Sequence, residues 1–455
     1  MNYQEAIQYI QSFPDMERAT FGARGPTMGL PSMISLLERM DNPHLGRKTI
    51  HVAGSKGKGS TSQMVAKILD KAGYKTALYT SPHLHDYCER IVIGGIPVSK
   101  EKFAEGISQI KSAVEAEKSD GNNTISTFGI LTALFFHLSN NEDPPVDWQI
   151  VEVGLGGRYD VTNVFSSKEV AIITPVSLEH VEILGSTPTE IAANKAGIIT
   201  PECTAILAQQ RDKGAATAVG RKCREVHATF IDVPRSYKTR VLSQDLSGQK
   251  FSVECDDVAH EYFIPLLGAH QVTNATTAIA AVRAIKAHGE EIEDKAIADG
   301  LKNLVVPGRM EVLNPQEKDK PKIVVDAAHN HESAAVLAET LKSAFEVDSC
   351  IFIIGLNSDK NVSAIWKELS GLSKMCIATR SNNARSMKPE EIVEIISMVG
   401  TREEDSMAVE SVGQAIEQAL KIAEPNTVIC ITGSMYVVGE AREYILKEKA
   451  SELCH

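Results

Sequence analysis

The chain has 455 residues, 43% of them apolar and 23% charged, a globular balance with length enough for two hydrophobic cores. Its formal charge of −12 argues against a sequence-independent nucleic-acid binder, which needs basic surface to displace counterions. No apolar run nears the roughly 20 residues that cross a bilayer, neither terminus reads as a targeting signal, and the eight cysteines are scattered without a Cys-x-x-Cys pair. The expectation is a cytoplasmic monomer with buried free thiols and with no nucleic-acid or membrane partner.

Met1 to Pro14 carries a short helical pattern. Beyond it, apolar or β-branched runs at Lys48–Ala53, Thr76–Thr80, Trp148–Val153, Val170–Val176 and Ala205–Ala208 alternate with helical patterns, which predicts a mostly parallel sheet covered on both faces. From Lys238 to Leu267 the texture becomes alternating around a Ser247-Gly248 turn, an antiparallel excursion. A helix is expected from about His270 to Ala287. Val306-Pro307-Gly308 breaks regular structure and marks a boundary, giving domains 1–305 and 306–455. The alternation restarts at Ile323–Asp326, Cys350–Ile354, Met375–Ala378 and Val428–Thr432, and the charged stretch Gln316–Lys322 reads as a solvated loop. The fold class is α/β: a P-loop ATPase-type, mostly parallel sheet domain followed by a smaller doubly wound α/β domain. Two such units commonly bind ligands in the cleft where they face each other.

The strongest local signal is Gly54-Ser55-Lys56-Gly57-Lys58-Gly59-Ser60-Thr61, entered by a β-rich run and left by a helical pattern over Gln63–Ala72. Glycines let backbone N–H groups curl around a phosphate, and a helix N-terminus adds a favourable dipole. Lys58 is then placed to reach the β- and γ-phosphates of ATP, with Ser60 or Thr61 at a metal. The strict Walker spacing is not met, because Val52 stands where it needs glycine and Gly59 is inserted after Lys58. The alternative is a glycine-rich tight turn with no ligand.

This loop resembles that of the folylpolyglutamate synthase and dihydrofolate synthase family, within the Mur ligase superfamily. The other blocks follow in order: Thr80-Ser81-Pro82-His83-Leu84 with Glu89-Arg90-Ile91, Glu152-Val153-Gly154-Leu155-Gly156-Gly157-Arg158 with Thr162-Asn163-Val164, and Leu178-Glu179-His180 with Asn194-Lys195-Ala196-Gly197. Gly268-Ala269-His270-Gln271 with Asn274, Pro307-Gly308-Arg309, Asp326-Ala327-Ala328-His329-Asn330 and Thr432-Gly433-Ser434 complete a set spanning nearly the whole chain.

By its own pattern Glu152 ends an apolar strand, so its carboxylate belongs at the C-terminal edge of the sheet. The resemblance implies that Ser81, Glu152 and His180 bind magnesium. A histidine on so hard a cation is chemically unusual, and without the family a hydrogen-bonded loop histidine is the simpler reading. Lys195 reads by pattern as a solvated cation on a helix; the resemblance implies carbamylation, which turns it into an anionic magnesium ligand. It also implies that Asn274 and Arg309 contact ATP phosphates, and that Asp326 and His329 face the nucleotide and the incoming amino acid. Ser434 is either a helix cap or a substrate contact.

The family's substrate loop falls on Phe21-Gly22-Ala23-Arg24, and Pro82, His83 and Arg90 fall in its next substrate segment. Tyr87 can stack on a flat ring. Phe128 lies in a family segment that continues with Glu, where this chain has Gly129; a helical core position competes with a substrate role there. The implied reaction is attack of a folate-type carboxylate, dihydropteroate or tetrahydrofolate or both, on the γ-phosphate of ATP with Mg2+, then attack of the L-glutamate amine on the acyl phosphate. Lys58, Lys195, Asp326 and His329 are the expected catalytic residues. Two alternatives compete: an amide ligase of the same superfamily acting on another acid, such as a cell-wall precursor, and a nucleotide-regulated binding protein that ligates nothing.

Overall fold

The computed structural model describes residues 1–15, 29–120, 125–315 and 320–452. It divides into two compact units, and neither is one contiguous stretch. The first takes Met1–Arg240, Ser252–Tyr262 and Thr273–Leu304; the second takes Val241–Phe251, Phe263–Val272 and Val305–His455.

The first unit is built on eight strands: β1 (Lys48–Ala53), β2 (Thr76–Tyr79), β3 (Ile91–Ile93), β4 (Ile96–Pro97), β5 (Trp148–Glu152), β6 (Val170–Ile173), β7 (Thr204–Leu207) and β8 (Thr229–Asp232). They lie in the order β4-β3-β2-β5-β1-β6-β7-β8. Strands β2, β5, β6 and β7 are buried along their whole length, the mark of a parallel sheet covered on both faces. Helix Thr127–Asn140 sits in one of the two covering layers with Phe128, Phe135 and Phe136 buried. Helix Lys58–Lys71 meets helix Asp294–Lys302 so closely that a Cβ on Gly300 would stand 2.6 Å from the Ile68 backbone.

Register fixes what stands beside the end of β1. Val52 pairs with Glu152 on β5, and Ala53 pairs with Ile173 on β6. The chain therefore leaves β1 with the end of β5 on one side and Thr174 on the other.

A three-stranded sheet, β11-β10-β9, follows from β9 (Lys238–Asp245), β10 (Gly248–Cys255) and β11 (Val258–Ile264), and helix Ala269–Ala287 comes after it. The second unit carries β12 (Glu311–Val312), β13 (Lys322–Asp326), β14 (Cys350–Ile354), β15 (Ser373–Arg380), β16 (Ser406–Ser411) and β17 (Val428–Thr432), in the order β12-β13-β17-β14-β15-β16. Asp326, Thr432 and Ile354 share one register at the C-terminal edge of that sheet. Its core includes Phe352 and Trp366, packed edge to face.

Two expectations shift. The helix after the glycine-rich loop starts at Lys58 rather than near Gln63. Lys322, expected in a loop, instead opens β13, and residues 316–319 of that expected loop lie outside the described residues. Strands β8 and β16 escaped the sequence reading: both are edge strands with exposed or half-exposed residues and no continuous apolar run. The seven cysteines among the described residues are free thiols, and Cys454 lies outside them. No described helix is long and apolar enough to cross a membrane.

Candidate active site

The glycine-rich loop owes its path to two positions that refuse a side chain. Gly57 has φ +81°, where L-residues are strained, and a Cβ there would lie 2.3 Å from Asn274 Oδ1. At Gly54 a Cβ would lie 1.7 Å from Thr174 Oγ1. The Ser55 and Lys56 N–H groups both donate to the Pro175 carbonyl (3.0 and 3.1 Å), and Ser55 Oγ donates to Ser177 O at 3.1 Å. Helix Lys58–Lys71 then begins without a side-chain cap, so its positive end faces the loop. Thr61 Oγ1, in the first turn, is buried without a hydrogen-bond partner.

Three lysines converge here. Lys58 Nζ donates to the Gly54 carbonyl at 3.1 Å, and Lys195 Nζ donates to the same carbonyl at 2.9 Å and to Glu179 Oε1 at 2.8 Å. Lys195 is 1% exposed, so the solvated cation expected from the pattern is instead a buried, ion-paired one. Its partner stands 16 residues away along the chain and was given no role by the sequence reading, although Leu178-Glu179-His180 was singled out as a block. Burial pushes Lys195 down to about 8, with Glu179 opposing and Lys58 and Lys56 assisting. Burial works against ionisation of Glu179 too, yet Lys195, Lys58 and Lys56 together hold its carboxyl down to about 2.

The end of β5 supplies the acid. Glu152 is buried, its Oε2 accepts the Ser81 N–H at 3.1 Å, and a Cβ on Gly59 would stand 3.4 Å from that same oxygen. Ser81, Glu152 and the start of the loop helix are thus together. His180 heads the short turn Val181–Leu184 with φ +46° and is exposed. Among the described residues there is no group of three or more His, Cys, Asp and Glu side chains able to cage a metal. A hydroxyl and a carboxylate beside a glycine-rich loop still fit Mg2+, which takes hard oxygens, few from protein, and keeps its other positions for water and substrate phosphates. The orphaned Thr61 hydroxyl adds one more such oxygen at the same helix start.

The segment after β2 is folded on Glu89, whose carboxylate accepts the N–H groups of Leu84, His85 and Asp86. Arg90 is buried, donates to His83 Nδ1 at 2.9 Å and lies over the Tyr87 ring, which itself packs 4.3 Å from the His83 ring. Pro82 begins this segment. Phe128 is 7% exposed and fills the core between Tyr79 and Gly154, where a Cβ would stand 2.6 Å from its ring. Phe21 and Arg24 lie outside the described residues.

The second unit groups its own expected residues. Asp326 ends β13 and accepts the Met310 N–H at 2.9 Å and the Ala328 N–H at 3.0 Å; burial raises its pKa, with Arg309 and those two N–H groups opposing. Arg309 Nη1 contacts Met435 Sδ. Burial, helped by Arg309, lowers His270 to about 4, so that ring is neutral. His329 Nδ1 donates to the Ala327 carbonyl at 2.9 Å. Ser434 Oγ accepts the Val437 N–H at 3.1 Å and caps the last helix, Met435–Glu452.

Two family models match: the Mur ligase middle domain over residues 52–282 and the Mur ligase glutamate ligase domain over residues 308–435. The chain is 30% identical to the dihydrofolate synthase/folylpolyglutamate synthase of Mycobacterium tuberculosis, over 91% of this chain and 89% of that protein. It is also 30% identical to the one of Bacillus subtilis, over 97% and 98%. Among solved structures, Escherichia coli FolC in complex with DHPP and ADP superposes with a TM-score of 0.83 at 25% identity, covering 99% of each chain.

Proposed function

Because this chain belongs to the dihydrofolate synthase/folylpolyglutamate synthase family of Mur ligases, we propose that it is an ATP-dependent ligase adding L-glutamate to a folate-type acid through an acyl phosphate. The observation that supports this most is the meeting of Lys58 and Lys195 at the Gly54 carbonyl, with Glu179 accepting from Lys195, in a loop whose Gly59 lies against Glu152. Two anions, a carboxylate and a triphosphate, must approach each other, and this is a place built to offset negative charge.

In the proposed reaction the loop N–H groups and the helix N-terminus hold the phosphates, and Lys58 draws charge from the γ-phosphoryl group as the acid's carboxylate attacks it. Mg2+, when bound, supplies Lewis acidity at the phosphate oxygens; Ser81, Glu152 and Ser60 or Thr61 would hold it, with His180 and a carbamylated Lys195 as the family's further ligands. Asn274, packed on Gly57, and Arg309 contact ATP phosphates. Asp326 orients the Met310 and Ala328 backbone, and His329 offers Nε2 to a proton of the incoming amine. Pro82, His83 and Arg90 take the acid. The enzyme acts in the cytoplasm as a monomer.

The test is ADP release with ATP, Mg2+, L-glutamate and either dihydropteroate or tetrahydrofolate. Release that needs both an acid and glutamate is expected, and Lys58→Ala should lower it by about a hundredfold or more, the scale of removing one preorganised charge-stabilising group. Release indifferent to acid and amine, or full activity in Lys58→Ala, sinks the ligase reading.

A further inference from the structure

A lysine taken out of water must find acceptors or give up its proton. Lys168 lies in the connection between β5 and β6 and is 6% exposed. Its Nζ stands 3.0 Å from His51 Nδ1 and 3.4 Å from Asn163 Oδ1, with the Phe165 ring 5.4 Å away. His51 is fully buried in β1 and its Nε2 meets Thr162 Oγ1 at 2.9 Å; Thr162 Oγ1 in turn donates to Asp160 Oδ1 at 2.5 Å. The roles follow from the far end. Asp160 also accepts the N–H groups of Leu155 and Thr162, which oppose the burial that raises its pKa, so Thr162 spends its proton on Asp160 and must accept from His51 Nε2–H, which leaves His51 Nδ1 as acceptor and Lys168 as donor. Burial and Lys168 keep His51 well below its ordinary pKa, consistent with a neutral ring in the middle of the chain.

Both arms of this network end on the turn that follows Glu152. Asp160 Oδ2 accepts the Leu155 N–H at 2.8 Å. On the other arm, Asn163 Nδ2 donates to the carbonyls of Arg158 and Gly197, each at 3.2 Å. The turn is pressed against the second site residue as well: Arg158 N–H donates to Asn194 O at 3.0 Å, and a Cβ on Gly157 would lie 2.7 Å from the Lys195 carbonyl.

We propose that Lys168 is a positioning residue, a buried donor whose two hydrogen-bonded arms, His51–Thr162–Asp160 and Asn163, hold the Gly154–Arg158 turn and thereby set Glu152 and Lys195 for a nucleotide-bound divalent cation. The cation's role at Glu152 rests on the proposed ligase reading; the network itself does not.

The test is titration of ADP into the full-length chain with Mg2+ and with EDTA, so that the readout is the Mg2+-dependent gain in ADP affinity. Lys168→Met and Thr162→Val are expected to lose about tenfold of that gain with metal-free ADP binding unchanged, whereas Thr162→Ser, which keeps the hydroxyl, retains it, as for partners behind a metal ligand. Thr162→Val replaces the hydroxyl by a methyl and Thr162→Ser removes only the methyl, so their comparison stands even if Lys168→Met fails to fold. An undiminished gain in Thr162→Val, an equal loss in Thr162→Ser, or the absence of any gain in the unmodified protein overturns the proposal. Failure of the ligase reading shows separately, as ADP release independent of glutamate in a protein that still has the Mg2+ gain.

Discussion

Lys195 and Glu179 pull each other's protons in a way that pH can expose. Glu179 titrates near 2 instead of its ordinary 4.5, so the folded state favours its charged form. Its contribution to stability is complete above about 4.5 and is lost as pH falls from there through about 2. Lys195 moves from 10.5 to about 8, so the folded state disfavours its cation. That penalty is present below about 8 and is relieved as pH rises from about 8 to about 10.5, where the unfolded chain binds the extra proton. Glu179 is what keeps the lysine from dropping further, since burial, Lys58 and Lys56 all act the other way. Carbamylation needs the neutral amine, so NMR with isotopically labelled bicarbonate should show carbamate on Lys195 forming at lower pH in Glu179→Gln than in the unmodified chain. Identical pH midpoints would show that the ion pair does not control this amine, and no carbamate at any pH would remove the modification from the mechanism.

Helix Lys58–Lys71 has Gly57 of the glycine-rich loop at its head and Gly73 just past its end, and this pair of glycines separates two costs. Gly57 (φ +81°) and Gly73 (φ +92°) both occupy the left-handed region, but a Cβ meets Asn274 at 2.3 Å in the first and nothing within 4 Å in the second. Alanine at either costs roughly 1–2 kcal/mol of backbone strain. Only Gly57→Ala should also weaken ADP binding, by about tenfold or more, equivalent to about 1.4 kcal/mol or above; calorimetric titration of both variants checks this. Equal ADP affinities would mean that the loop's shape is not what holds the phosphates. Spaced glycines made this loop legible in the chain, and continuous apolar runs made β6, β14 and β17 legible, because strands covered on both faces have no polar side to interrupt them. The helix start was less legible: Gly59 and Ser60 are weak helix formers, and the turn at Gly57 sets the first residue. The burial of Lys195 could not be read at all, because it depends on folding that brings Glu179 and the Gly54 carbonyl to one nitrogen.

At the scale of the whole chain, Lys58 and Asn274 belong to the first unit, Arg309 and Asp326 to the second. Each unit has its own apolar core, so each can be weighed by its own unfolding. A ligand that binds only the native state adds RT ln(1 + [L]/Kd), about 2.7 kcal/mol at about 100 times Kd. If Arg309 contacts a phosphate, it contributes a hydrogen bond to a charged group, roughly 1.5–3 kcal/mol. Scanning calorimetry should then show that Arg309→Met loses a large part of the stabilisation given by a fixed concentration of Mg·ADP. The ligand-free melting should move little, because the guanidinium is half-exposed and its Nη1 bonds are long contacts to Gly308 O and Met435 Sδ. Lys58→Ala provides the reference for loss through the first unit alone. Should Arg309→Met melt with the full Mg·ADP shift, the phosphates are held by the first unit's residues, and Arg309 acts instead on its neighbours, opposing the burial that raises Asp326 and adding to the burial that lowers His270.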